Sequence, residues 1–132
     1  MEQIPLKKIE TVLVLAEDDK QKQKEFYELL LTTHFYVAGS VEADVSETEG
    51  TVRLRYFQGE GRWIVPFFTQ LEFVQEVLPE GTPLITIRGK ELFESIDKEA
   101  TAVLNVGTEF NKTFIPEEIT DIASGRIFNY YK

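Results

Sequence analysis

Few side chains in this sequence have the type and spacing that chemistry requires. There is no cysteine among the 132 residues and one histidine, His34. That excludes disulfides, thiol nucleophiles and metal sites built on cysteine or several histidines. A Ser-His-Asp triad would have to use His34. It lies between a helical and an extended pattern beside Phe35, with no serine in a nucleophile-elbow setting, and reads as a histidine packed or hydrogen-bonded at a helix end. Glu72, Glu117 and Glu118 fall at helix starts, and Glu42, Asp44, Glu47 and Glu49 in a polar loop. No carboxylate pair is left in the setting of an acid–base couple or a metal ligand. The expectation is a chain that is not an enzyme, with no catalytic residue, no metal and no cofactor.

Binding chemistry has more candidates. Asn105-Val106-Gly107-Thr108 follows an apolar run, a place where ligand contacts are common. Backbone N–H groups there, with Asn105, Gly107 and Thr108, suit a small anion or carboxylate, and Arg88 could add charge. The same residues also make a glycine-bearing turn in which Asn105 caps local backbone groups. Arg53, Arg55, Arg62 and Arg88-Gly89-Lys90 either gather into an anion pocket or pair with nearby carboxylates in water. Gly59-Glu60-Gly61 lacks the third glycine and following helix of a phosphate loop. For a protein partner the candidates are aromatic: Trp63 at a strand end, and Phe128, Tyr130 and Tyr131 in the C-terminal segment. Such rings either close the domain's own core or anchor an interface.

Bulk composition sets the limits. A length of 132 residues suits one hydrophobic core, and 42% apolar with 28% charged residues is ordinary for a globular domain. The net charge of −9 argues against nucleic acid and anionic membranes, while a cationic protein partner fits it. No stretch is long and apolar enough to span a bilayer. The N-terminus lacks the basic-then-apolar order of a signal peptide, so the cytoplasm is the expected compartment.

These residues need elements to position them. Leu6, Ile9, Val12, Leu13 and Ala16 recur at helical spacing after Pro5. Asp18-Asp19 offers caps to a second helix whose apolar residues crowd its C-terminal half. His34 to Ala38 reads as a strand closed by Gly39-Ser40, and Val41 to Gly50 as an exposed loop. Thr51 to Phe57 alternates like a half-wet strand, and turns at Gln58-Gly59-Glu60-Gly61 into Trp63-Ile64-Val65-Pro66, with Pro66 ending the pairing. Thr69 with Glu72 reads as a capping box, and Phe68 with Phe73 as its hydrophobic staple. Pro79 and Gly81 stop that helix. Strands at Pro83–Ile87 and Thr101–Val106 flank a short helix at Lys90–Ile96, and Pro116 and Gly125 bound the last helix.

Several segments occur together in a recognisable order. They are Phe26-Tyr27 with Leu29-Leu30, Pro66-Phe67-Phe68-Thr69 with Glu72-Phe73, Leu78-Pro79-Glu80-Gly81-Thr82-Pro83, Arg88-Gly89-Lys90-Glu91-Leu92-Phe93, Leu104-Asn105-Val106-Gly107 and Phe114-Ile115-Pro116-Glu117-Glu118-Ile119. In these the chain resembles the N-terminal domain of the bacterial SseB family, the enhanced serine sensitivity proteins. The resemblance implies an α+β domain in a bacterial cytoplasm and transfers no catalytic activity. Many members carry a second domain after this one.

The reading is a single α+β domain over 1–132, with about five strands in a mixed sheet, helices mainly on one face and an aromatic tail at 124–132. The expected function is a non-catalytic interaction or regulatory module, with a protein partner or a second copy. The alternatives are a sensor of an amino acid or other carboxylate, and an acidic immunity-type protein that neutralises a basic one.

Overall fold

The computed structural model describes residues 7–43 and 50–131. Helix boundaries follow local chemistry where a cap is at hand. Helix α1 (Lys8–Leu15) has Glu10 in its first turn, reaching back to accept the Lys7 N–H at 2.8 Å. Helix α2 (Lys20–Thr32) is capped by Asp19, which accepts from the N–H groups of Gln21 and Lys22 at 2.9 and 3.2 Å. Helices α3 (Leu71–Val77) and α4 (Gly89–Ser95) are short. Helix α5 (Pro116–Ser124) begins on its proline and ends at Gly125 with φ +82°, followed by a 3-10 segment at Arg126–Tyr131.

The expected capping box at Thr69 does not form. Helix α3 starts after Gln70, without a side-chain cap. Thr69 is buried, so its hydroxyl and N–H need buried partners: the hydroxyl donates to the Glu10 carboxylate, and the N–H to Asn105 Oδ1 at 2.9 Å. Phe68 and Phe73 do pack into one cluster, as the staple requires.

The described strands number seven rather than about five: β1 (His34–Ala43), β2 (Gly50–Leu54), β3 (Phe57–Gly59), β4 (Arg62–Phe68), β5 (Leu84–Arg88), β6 (Thr101–Leu104) and β7 (Lys112–Phe114). They form one mixed sheet, with β4 and β6 parallel and the other pairings antiparallel. The seam between β1 and β4 explains two departures from the sequence reading. β1 pairs with β4 only at Tyr36–Phe68 and Val37–Phe67, then continues beyond it to Ala43. The Gly39 N–H bonds the Pro83 carbonyl on the β5 side, while the Ala38 carbonyl accepts the Arg55 N–H from the other side. β2 therefore fills the wedge that β4 vacates. Gly39 does not close the strand; it lets β2 approach, since a Cβ there would lie 2.5 Å from the Arg53 carbonyl oxygen. The expected loop accordingly begins later, and its residues 44–49 lie outside the described ones.

Pro66 does not end its strand either. The Asn105 N–H bonds the Phe67 carbonyl, so Phe67 turns toward β6 and Pro66 toward the wedge, where its missing N–H leaves no ladder bond unmade.

Alternation along β1, β4 and β6 separates two cores. Phe35, Val37, Val65, Phe67, Ala102 and Leu104 face α1, α2, α4, α5 and the 3-10 segment. Ala38 and Phe68 face α3 on the other side, with Phe73, Val74 and Leu78. The helices thus lie mainly on one face. No helix among the described residues is long and apolar enough to cross a membrane.

Candidate functional site

The two ends of the parallel β4–β6 pair differ in chemistry. At the carboxyl ends the polar groups are closed on one another. Glu10 is 1% exposed and Asn105 fully buried. Gln70 Nε2 donates to both Glu10 oxygens at 2.7 and 2.9 Å, and the Thr69 hydroxyl donates to the same carboxylate. Asn105 Nδ2 reaches Thr69 Oγ1 at 3.0 Å and the Phe110 carbonyl at 3.4 Å. No buried side-chain nitrogen or oxygen among the described residues lacks a partner.

The sequence candidates for a carboxylate site fall at this end without converging. Asn105 has both ends of its amide engaged inside the chain, and adopts φ +48° to do so. The Thr108 hydroxyl donates to the Asn105 carbonyl at 2.9 Å and accepts from the Phe110 N–H at 3.1 Å. Gly107, at φ +82°, is exposed. Arg88 is exposed at the end of β5, 3.6 Å from Glu91. It sits three strands from Asn105, about 14 Å at the usual strand spacing. The structure does not bring it to Asn105-Gly107-Thr108. His34 is exposed and pairs in register with Arg88.

The opposite end is open. Register puts Phe57 and Thr101 on either side of Ile64, so Tyr56, Trp63 and the segment before Thr101 meet at one edge. Tyr56, Trp63, Asp97 and Glu99 line a cleft of about 260 Å³ there. Trp63 is 51% exposed. The Tyr56 hydroxyl accepts the Asp97 N–H at 2.9 Å, and Asp97 Oδ1 accepts the Glu99 N–H at 2.9 Å. Of these four residues the sequence singles out Trp63 alone. The sequence reads Thr51 to Phe57 as the hairpin partner of Trp63, but Gly50–Leu54 goes to β1 and only Phe57–Gly59 pairs with β4. Neither that break nor the pairing of β4 with β6 that delivers Asp97 and Glu99 is legible.

A larger groove of about 670 Å³ runs between α1, α2 and the start of β7, with Gln23, Tyr27, Lys112 and Tyr131 among its lining. Tyr27 donates to Glu118 Oε2 at 2.8 Å, and Lys112 Nζ lies 3.7 Å from the same oxygen. Burial, then the hydrogen bond and charge of Glu118 and the charge of Tyr131, hold the Tyr27 hydroxyl protonated well above the ordinary tyrosine range. Burial and Glu118 raise Tyr131 as well.

The aromatic tail divides. Phe128 and Tyr131, three apart on the 3-10 segment, pack on the main core, Tyr131 with its ring 6.0 Å from Tyr27. Tyr130 turns outward, 64% exposed. Ile127, which the sequence reading does not single out, is the buried member. Of the basic residues, Arg53 and Arg55 line one small cleft with Ser40 and Pro83, Arg55 also lying over the Phe57 ring at 5.2 Å; Arg62, Arg88 and Lys90 are not part of that lining. No group of three potential metal ligands occurs among the described residues.

The family model described as the SseB protein N-terminal domain matches residues 9–121. The curated Protein SseB of Escherichia coli (strain K12) is 26% identical over 114 residues, covering 85% of this chain and 44% of that protein. Protein SseB of Shigella flexneri matches over the same shares with the same identity. The chain therefore spans less than half the length of these relatives. No solved structure matches it. The matched span runs from the first turn of α1 into α5 and takes in the whole sheet; this chain belongs to the SseB family, and the family's N-terminal domain is what it folds into.

Proposed function

We propose that this domain is a non-catalytic protein-interaction module of the bacterial cytoplasm that docks a basic partner at the β3–β4 end of its sheet. The observation that carries the reading is Trp63. An isolated exposed apolar side chain is ordinary. Trp63 instead walls a cleft with Tyr56, at the open end of a sheet whose other end is a closed polar network. Tryptophan and tyrosine at a concave site are the usual anchors of an interface. The net charge of −9 favours a cationic partner, as an acidic immunity-type protein would require.

The test is affinity capture from lysate of the encoding bacterium, using the wild-type chain, Trp63→Ala and Tyr130→Ala/Tyr131→Ala. A protein retained in stoichiometric amount by the wild type and the tail variant, and lost by Trp63→Ala, is the expected result. Loss with the tail variant alone, or no stoichiometric protein at all, would overturn it. A dimeric mass in light scattering that Trp63→Ala reduces to a monomer would assign the surface to a second copy instead.

The groove beside α1 and α2 favours a second reading, a sensor of small carboxylates. Its volume of about 670 Å³ lies in the range of ligand pockets. Lys112, which it shares with Glu118, supplies a cation for a carboxylate, and Tyr131 and Gln23 a hydroxyl and an amide bonded to one another. Glu17 and Glu109 also line the groove and restrict the ligand to one with an ammonium group, such as an amino acid. Thermal unfolding against a panel of amino acids and other carboxylates tests it, because a ligand raises the midpoint in proportion to its occupancy; a flat response would rule against it.

A further inference from the structure

We infer that the cleft of Tyr56, Trp63, Asp97 and Glu99 is a receptor for one arginine side chain of the partner. This rests on the interaction reading above and adds the chemistry of what enters. The lining consists of two aromatic rings and two carboxylates. An anion would be repelled by Asp97 and Glu99. Asp97 and Glu99 are exposed, and an apolar side chain would strip water from their carboxylates without replacing it, which is costly. A cation meets attraction from both kinds of wall, since ring faces carry negative charge density.

Size narrows the occupant. A cleft of about 260 Å³ falls below the usual range for a free ligand and suits a single side chain. Neither carboxylate forms an ion pair with any described residue, so both are available. Two of the walls are set in advance. The Asp97 N–H holds the Tyr56 hydroxyl, and the Glu99 N–H holds Asp97 Oδ1, which lowers the ordering cost of binding. Arginine fits better than lysine because its guanidinium is planar: it stacks on a ring while its N–H fork meets a carboxylate.

The chain has one tryptophan, so the emission of Trp63 reports on this cleft alone. The probes are acetyl-Gly-Arg-Gly-amide, its lysine counterpart and its citrulline counterpart, which keeps the shape of arginine without the charge. Titrations run at constant ionic strength to about 10 mM, enough for a millimolar contact. The arginine peptide is expected to give a saturable change, with lysine severalfold weaker and citrulline inactive. Asp97→Asn/Glu99→Gln is expected to weaken arginine binding about tenfold with an unchanged unfolding midpoint, because the introduced asparagine amide still offers an oxygen to the N–H two residues on.

No saturable change with the arginine peptide would overturn the inference, as would an equal response to lysine or to citrulline. Its failure is separable from that of the docking surface. If a captured partner is lost by Trp63→Ala and kept by Asp97→Asn/Glu99→Gln, the docking surface stands and the arginine receptor falls.

Discussion

Gln70 holds both oxygens of the Glu10 carboxylate through one amide nitrogen, at 2.7 and 2.9 Å, across 60 positions of sequence. The contact ties the first turn of α1 to the residue that precedes α3, and Thr69 and Asn105 extend it to the end of β6. A buried carboxylate surrounded by donors is stable only while those donors stay in place.

Glu10→Ala would leave the Thr69 hydroxyl and the Gln70 amide buried without this acceptor. The expected loss of stability in urea unfolding is about 2 kcal/mol or more, counting the hydrogen bonds that Thr69, Gln70 and Lys7 make to this carboxylate and the cavity left behind. Glu10→Gln keeps the volume but turns an amide nitrogen toward donors, and should lose about 1–3 kcal/mol. A change below about 0.5 kcal/mol for either would show that the network does not hold α1 in place.

Asn105 combines an unusual backbone with a buried amide. Asn105→Gly relieves the left-handed strain but removes the hydrogen bonds to Thr69, whereas Asn105→Ala keeps the strain and removes them as well. Both should destabilise, Ala by about 1 kcal/mol more than Gly in chemical denaturation. The reverse order would contradict the conformation described.

Gly89 has no room for a side chain. A Cβ there would lie 1.6 Å from the Leu30 carbonyl oxygen, a backbone atom that moves only with α2. Gly89→Ala should lose about 3 kcal/mol or fail to fold. Gly125→Ala is the comparison: nothing lies within 4 Å of its Cβ, and only the φ of +82° is strained. Its expected loss is about 1–2 kcal/mol.

Tyr27 predicts an alkaline limit. Its raised folded-state value means that the native state keeps a proton that the unfolded chain releases near the ordinary tyrosine pKa of about 10. Its contribution is whole below about pH 10 and is lost as pH rises toward the folded value, by up to about 1.4 kcal/mol per pH unit. Tyr27→Phe should flatten that alkaline slope in pH-dependent unfolding while leaving the slope near neutrality unchanged. Equal slopes for the two proteins above about pH 10 would contradict the assignment.

Much of this fold is legible because its signals are local. Asp19 caps α2, Pro116 and Gly125 bound α5, and Glu60-Gly61, inside the expected turn from Gln58, turns the β3–β4 hairpin, each through groups within a few residues. Departures arise where distant groups win. Thr69 reads as a cap, but a carboxylate 59 positions away takes its hydroxyl. Gly39 and Pro66 read as stops, yet the wedge between β1 and β4 needs a missing side chain at one and tolerates a missing N–H at the other. β7 is three residues long, too short for a periodic pattern. At the open end, Trp63 is visible as a candidate, but Tyr56, Asp97 and Glu99 join it only through strand register.

The central claim is that a partner docks at the Trp63 end. Calorimetric titration of the captured partner against the wild type and Trp63→Ala tests it most directly. The account predicts affinity at least about tenfold weaker for the variant, as for an interface anchor. An unchanged dissociation constant, with the variant as stable as the wild type, would contradict it.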